Sequence, residues 1–298
     1  MYRVIVTGGS GLLGTALVSK LSSRFNIYSI DKKKIDDNTL YKNINYLNLD
    51  LTSEDSISII ESLKPDIIIH CAAIIPGNVD ISEESIREMN TIIDKNIISI
   101  SAKLNCYLIY MSSTIVYGYS NNTFNIKEDN PLKKISPYAE QKLETEVLIT
   151  NNINRFLILR INAPYGHPLP NKTVLTFFCE QATQDKTLYY HGSGRRMQDF
   201  TNVKDIADLI YFKLKSRSFI NGIYNISAGK PISMINLAEL IVSISGSNSK
   251  IEASGITDEQ ENYKASYSIE KAKTVLSWEP KITLKAGIKE LIKIMKKC

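Results

Sequence analysis

The sequence predicts an α/β protein built on a Rossmann-type, doubly wound parallel sheet, with a smaller C-terminal lobe. Three observations carry that expectation. Short apolar runs alternate with amphipathic helical stretches through the first half. A glycine-rich turn, Gly8-Gly9-Ser10-Gly11-Leu12-Leu13-Gly14, joins the first run to the first helical stretch. After Pro164 the alternation stops, and Pro168, Pro170, Gly192, Gly194 and Pro231 punctuate shorter elements.

Arg3–Thr7, Ile27–Ile30, Tyr46–Asp50, Asp66–Ala73, Tyr107–Ser113 and Phe156–Arg160 are the expected strands. They are rich in Ile, Val, Leu and Tyr, and several are apolar throughout. Such runs suit a parallel sheet covered on both faces. The expected helices between them are Leu12–Ser22, Glu54–Leu63, Glu83–Leu104 and Tyr138–Asn151. In the second half, Val174–Thr183, Val203–Lys213, Asn236–Ser245 and Leu284–Lys296 have helical patterning. Residues 1–165 are expected to form the sheet domain. Residues 166–298 supply mainly the lobe, with some elements returning to the core. Lys33–Lys42 and Gly246–Tyr263 are the expected loop or disordered stretches.

The chain has 298 residues, 43% hydrophobic and 22% charged, with a formal net charge of +5. That length supports a large core. The basic residues are scattered, apart from Lys32-Lys33-Lys34 and Lys293, Lys296 and Lys297, so no nucleic-acid-binding stripe is expected. The four cysteines are far apart and form no CxxC or Cys/His cluster, which argues against a metal site or a disulfide framework. No apolar run approaches the roughly 20 residues needed to cross a bilayer. Met1-Tyr2-Arg3-Val4 leads straight into the first strand, so no signal peptide and no membrane association are expected, and a cytoplasmic location follows.

The glycine turn satisfies GxGxxG between a strand and a helix. Missing side chains let backbone N–H groups approach a pyrophosphate, and the helix N-terminus adds positive potential. Asp31 follows Gly11 by about 20 residues at the end of the second strand, where a carboxylate holds a ribose diol. That carboxylate favours NAD by repelling the 2′-phosphate of NADP, while Lys32 and Lys33 leave NADP compatible. Tyr138 and Lys142 stand at i and i+4 and project from one helix face. An ammonium and a cationic nicotinamide beside a phenol favour the phenolate, which makes an acid/base at neutral pH. The strand ending at Ser113 should stop beside the nicotinamide, where a hydroxyl bonds the oxygen that gains or loses a proton.

The combination of TGGSGLLG, Asp31, Asp50-Leu51, His70-Cys71-Ala72-Ala73, SSTIVYG, YAEQK and LRINAPYG resembles the extended short-chain dehydrogenase/reductase family, in particular its nucleotide-sugar epimerases, dehydratases and reductases. The resemblance covers nearly the whole chain, through His191-Gly192-Ser193-Gly194 and Asp205 to Leu276-Ser277-Trp278-Glu279-Pro280. It implies an enzyme with Ser113, Tyr138 and Lys142 as its catalytic set. It implies cofactor contacts from Gly8, Ser10, Gly11, Leu12, Leu13, Gly14, Asp31, Asp50, Leu51, Ala72, Ala73, Tyr138 and Lys142. Asn90, Asn162, Arg195, Arg196 and Gln198 are its candidates for binding substrate, with a helix-surface amide as the other reading of Asn90. His70 and Trp278 are expected in the core. The two helices Glu83–Leu104 and Tyr138–Asn151 correspond to the dimer interface of many relatives, which implies a homodimer.

The sequence also departs from the family pattern. Thr114 and Ile115 stand where dehydratases of the family carry Asp-Glu. Gln198 replaces an arginine that binds substrate phosphate, with Arg195 and Arg196 just upstream, and no arginine lies between Ala253 and Tyr267. Asn162 sits one place early, and Ala163 occupies the usual asparagine position. The implied function is an NAD-dependent 4-epimerase of a nucleotide sugar and not a 4,6-dehydratase. An NDP-4-keto-sugar reductase, a dehydrogenase of a small non-nucleotide substrate and a non-catalytic dinucleotide-binding sensor are the alternatives.

Overall fold

Parallel pairing dominates the computed structural model, which describes residues 2–33, 41, 43–77, 80–119, 123–168 and 173–297. In chain order, β1 (Arg3–Thr7), α1 (Leu12–Leu21), β2 (Asn26–Asp31), β3 (Ile44–Asn48), α2 (Glu54–Ser62), β4 (Ile67–His70), α3 (Glu83–Leu104) and β5 (Tyr107–Ser113) come first. A 3-10 turn (Thr114–Tyr117) leads to β6 (Thr123–Ile126), α4 (Pro137–Asn152), β7 (Phe156–Ile161), β8 (Pro164–Tyr165), α5 (Val174–Thr183) and β9 (Leu188–Tyr190). Then follow β10 (Met197–Gln198), β11 (Thr201–Asn202), α6 (Val203–Ser216), β12 (Gly222–Ile226), β13 (Ile232–Ser233) and α7 (Met234–Ser245). The last elements are β14 (Ile251–Ala253), β15 (Ala265–Tyr267), α8 (Glu270–Leu276) and α9 (Leu284–Met295).

The central sheet has seven strands in the order β12-β7-β5-β4-β1-β2-β3. Neighbouring strands from β7 across to β3 pair in parallel. The order reverses between β1 and β4, and ligands of open α/β sheets bind at such a reversal, beyond the C-terminal strand ends. Ile67, Ile68 and Ile69 of β4 are buried on both faces, as a central parallel strand requires.

The chain divides into two compact units. One comprises residues 1–118, 131–161 and 207–224, and the other residues 119–130, 162–206 and 225–298. The first packs Ile5, Ile30, Ile68, Leu108 and Ile158 of the sheet against Ile93, Ile97 and Ile149 of α3 and α4. The second has its own core, in which Phe178, Leu237, Ala238, Ile241, Ile288 and Leu291 bring α5, α7 and α9 together.

Most expected strands and helices occur with ends shifted by one or two residues. The stretch Gly246–Tyr263 is mostly loop, as expected, and one short strand interrupts it. Its Ile251–Ala253 pairs in parallel with Leu188–Tyr190, so backbone hydrogen bonding overrides a sequence with little apolar periodicity. Of Lys33–Lys42, all but Lys33 and Tyr41 lie outside the described residues. Trp278 is buried as expected, and its indole N–H donates to the Asp205 carbonyl at 3.0 Å. Among the described residues, no helix is long and apolar enough to cross a membrane.

Candidate active site

The site is built from the C-terminal ends of β1, β2, β4 and β5 and the start of α4, all within the first unit. After Thr7 the chain turns through Gly8 at φ +66°, a conformation that side chains resist. A Cβ on Gly8 would lie 2.7 Å from the Ala72 nitrogen, and one on Gly14 2.0 Å from the Gly8 carbonyl oxygen. Both positions therefore require glycine, one for the turn and one for the approach of α1. The N-cap of α1 is Gly11, which offers no capping side chain. The first turns of α2, α3 and α4 are closed by Ser53, Ser82 and Ser136. The uncapped N-terminus of α1 is thus suited to an anion. The Asp31 carboxylate accepts from the backbone N–H of Ser10 at 3.1 Å and of Lys33 at 2.9 Å. These residues fit a dinucleotide: the glycine turn, with Leu12 and Leu13, could hold its pyrophosphate and Asp31 a ribose. Ala72 and Ala73 follow β4, and the Ala72 N–H bonds the Thr7 hydroxyl at 3.3 Å. Leu51 is buried, while the exposed Asp50 accepts from the Thr52 N–H at 2.9 Å and its hydroxyl at 2.8 Å. Those bonds, the backbone one first, hold the Asp50 carboxyl below its usual range.

Ser113 ends β5 and accepts from the Ile115 N–H at 3.2 Å, which caps the 3-10 turn. The Ser136 hydroxyl accepts from the Ala139 N–H at 3.2 Å and opens α4, with Pro137 at its first turn. Tyr138 is therefore in the first turn and Lys142 one turn later. The Lys142 Nζ lies 5.7 Å from the centre of the Tyr138 ring and 4.6 Å from that of Tyr110. Lys142 is 2% exposed and donates to the Tyr110 hydroxyl at 2.9 Å and the Met111 carbonyl at 3.2 Å.

Several site residues did not stand out in the sequence. Register aligns Thr7, His70 and Tyr110 in one row across β1, β4 and β5. His70 is in the core as expected, yet both ring nitrogens are engaged: Nδ1 with the Thr7 hydroxyl at 2.6 Å and Nε2 with Asp94 Oδ1 at 2.8 Å. The neutral Nε2–H tautomer satisfies both contacts. Asp94, 1% exposed on α3, also accepts from the hydroxyls of Tyr110 at 2.8 Å and Thr145 at 2.7 Å and from the Gln141 amide. Burial alone would raise the Asp94 carboxyl. The His70 hydrogen bond, the Lys142 charge and the Thr145 hydroxyl together hold it below the usual range. Burial, and then the Asp94 charge, push the Tyr110 phenol well above its ordinary value, so it remains a donor. A carboxylate one turn after Asn90, on a face continued by Ile97 and Ser101, was the signal available in the sequence.

Asn90 is buried, so the reading as a helix-surface amide is corrected. Its Nδ2 donates to the Ile74 carbonyl at 2.9 Å and its Oδ1 accepts the Ile74 N–H at 2.8 Å, which braces the chain after β4. The other substrate candidates belong to the second unit. Asn162 Nδ2 donates to the Asp199 carbonyl at 3.0 Å. Arg196 Nε pairs with Asp258 at 2.8 Å, and its Nη1 approaches Gln198 Oε1 at 3.4 Å. Arg195 is exposed, with Nε bonded to the Ser193 hydroxyl at 3.0 Å.

The model of the NAD dependent epimerase/dehydratase family matches residues 4–227. Among curated proteins, the chain is similar to a putative UDP-glucose 4-epimerase of Methanocaldococcus jannaschii, at 28% identity over 98% of both chains. It is also similar to the dTDP-D-glucose 4,6-dehydratase of Homo sapiens, at 27% identity over 97% of this chain and 89% of that one. Among solved structures, the Thermotoga maritima UDP-glucose 4-epimerase with UDP-glucose shares the fold, with a TM-score of 0.89 at 23% identity over 99% of each chain.

Proposed function

The chain belongs to the NAD dependent epimerase/dehydratase family, and on that premise we propose that it is a nucleotide-sugar 4-epimerase. The observation that carries this reading is the placing of Tyr138 and Lys142 one turn apart on α4, with Ser113 at the end of β5. NAD, when bound, supplies a hydride acceptor that can also give the hydride back. Tyr138 takes the proton of the C4 hydroxyl as the carbon is oxidised and returns it after the sugar has turned over. Ser113 hydrogen-bonds the same oxygen, and Lys142 holds the nicotinamide ribose. Gly8, Ser10, Gly11, Leu12, Leu13, Gly14, Asp31, Asp50, Leu51, Ala72 and Ala73 hold the rest of the dinucleotide. Thr114 and Ile115 offer no carboxylate for dehydration, so a 4,6-dehydratase activity is not proposed. Arg195 is the substrate residue best suited to a diphosphate, as Arg196 is paired. Asn90, Asn162 and Gln198 are supporting candidates. The proposed assembly is a homodimer through α3 and α4.

One observation favours a second reading. The Arg196–Asp258 pair leaves fewer free cations for a diphosphate, which would suit a dehydrogenase of a small substrate. A single experiment separates the two. With NAD present, UDP-hexoses are incubated with the protein and followed by NMR and nicotinamide absorbance, while UDP and dTDP are tested for a thermal shift. Inversion at C4 without net NADH is expected. No conversion and no shift from any nucleoside diphosphate would overturn the epimerase in favour of the second reading.

A further inference from the structure

Lys142 carries a buried charge whose counter-charge does not come from its own helix. Glu146, the carboxylate one turn further along α4, is bound to Arg160 Nη2 at 2.7 Å and Nε at 3.0 Å and to the Ser112 hydroxyl at 2.6 Å. On the sheet side, the Lys142 Nζ donates to the Tyr110 hydroxyl at 2.9 Å, and that hydroxyl donates onward to Asp94 Oδ2 at 2.8 Å. The groups facing Asp94 are His70 of β4, Tyr110 of β5, and Gln141 and Thr145 of α4, with Thr7 behind His70. Those facing Lys142 are Tyr110 and, within electrostatic reach, Asp94 and Cys71, with Tyr138 on the same helix. Four donors on one carboxylate, three of them at Oδ2, suit its ionised form.

We infer that Asp94 is a positioning residue: through the Tyr110 hydroxyl it is the counter-ion that holds Lys142 charged and fixed one helical turn from Tyr138. The inference rests on the roles of Lys142 and Tyr138 in the proposed function. A buried ammonium deprived of its opposite charge is disfavoured and gives up its proton more readily. A neutral or displaced Lys142 releases the nicotinamide ribose and leaves Tyr138 without its neighbouring charge.

The test follows the Lys142 Nζ by NMR in isotope-labelled, NAD-bound full-length protein, with the signal assigned by its loss in Lys142→Met. In Asp94→Asn, the pH at which the ammonium gives way to the amine should fall by at least about one unit. Tyr110→Phe, which keeps the Asp94 charge and removes the link, should produce a smaller fall. An unmoved transition in both variants overturns the inference. Should Asp94→Asn not fold, Tyr110→Phe decides alone. No sugar is present, so the outcome is independent of the epimerase reading, whose own failure would be seen as absent C4 inversion by the unaltered protein.

Discussion

Tyr138 is partly exposed while Lys142, one turn on, is almost wholly buried, so under the proposed function only the first can meet a substrate. Tyr138→Phe removes the proposed proton carrier and leaves the glycine turn and Asp31 in place. It is expected to lower kcat by at least about 10²-fold while NAD affinity stays near its original value. Stopped turnover combined with NAD titration checks both halves, and near-normal turnover would remove Tyr138 from the mechanism. The residues on either side of the pair were harder to read. YxxxK marks Tyr138 and Lys142 by spacing alone, whereas Asp94 reaches Lys142 because α3 and α4 pack together and both meet the Tyr110 hydroxyl of β5.

The expected and observed boundaries of α3 coincide, and short-range caps fix them. Ser82 starts α3 through the Ser85 N–H at 3.1 Å, and Asn105 ends it in the left-handed region at φ 49°. Ser136-Pro137 starts α4 by the same logic. That cap also sets where Tyr138 sits, since it lies only two residues beyond. Ser136→Ala should destabilise the protein by about 1 kcal/mol, read as a lower urea midpoint at unchanged slope. An unaltered midpoint would mean that tertiary packing, and not the cap, defines the start of α4. The short strands were not legible. Thr201–Asn202 and Pro164–Tyr165 exist as a pair only because two distant segments meet, and two residues carry no periodicity of their own.

The whole molecule is two cores threaded by one chain. Residues 119–130 leave the first unit for the second, and residues 207–224 return to the first. The first unit also exposes apolar side chains on its helical face. Ile92 of α3 is 46% and Val147 of α4 is 56% exposed. A shallow hollow of about 420 Å³ lies on this face, lined by residues that include Thr91, Leu143, Val147 and Leu148. The proposed dimer would cover it. Sedimentation is expected to give a dimer for the unaltered protein and a monomer for Val147→Asp, because a carboxylate cannot be buried there unpaired. A monomer in both cases would refute the proposed assembly.

By itself the sequence determined the features that depend on neighbours in the chain. These are the alternation that makes a doubly wound sheet, the glycine turn at Gly8–Gly14, and the spacing of Tyr138 and Lys142. Each is a local steric or hydrogen-bonding requirement, so residue type and interval suffice to show it. Tertiary structure alone decided that His70 bridges Thr7 and Asp94, that Arg196 is held by Asp258, and that Asn90 braces Ile74. Those partners are brought together by sheet register and helix packing across many intervening residues. A buried polar group takes whichever partner the fold delivers, because remaining unpaired in the core is the costlier state.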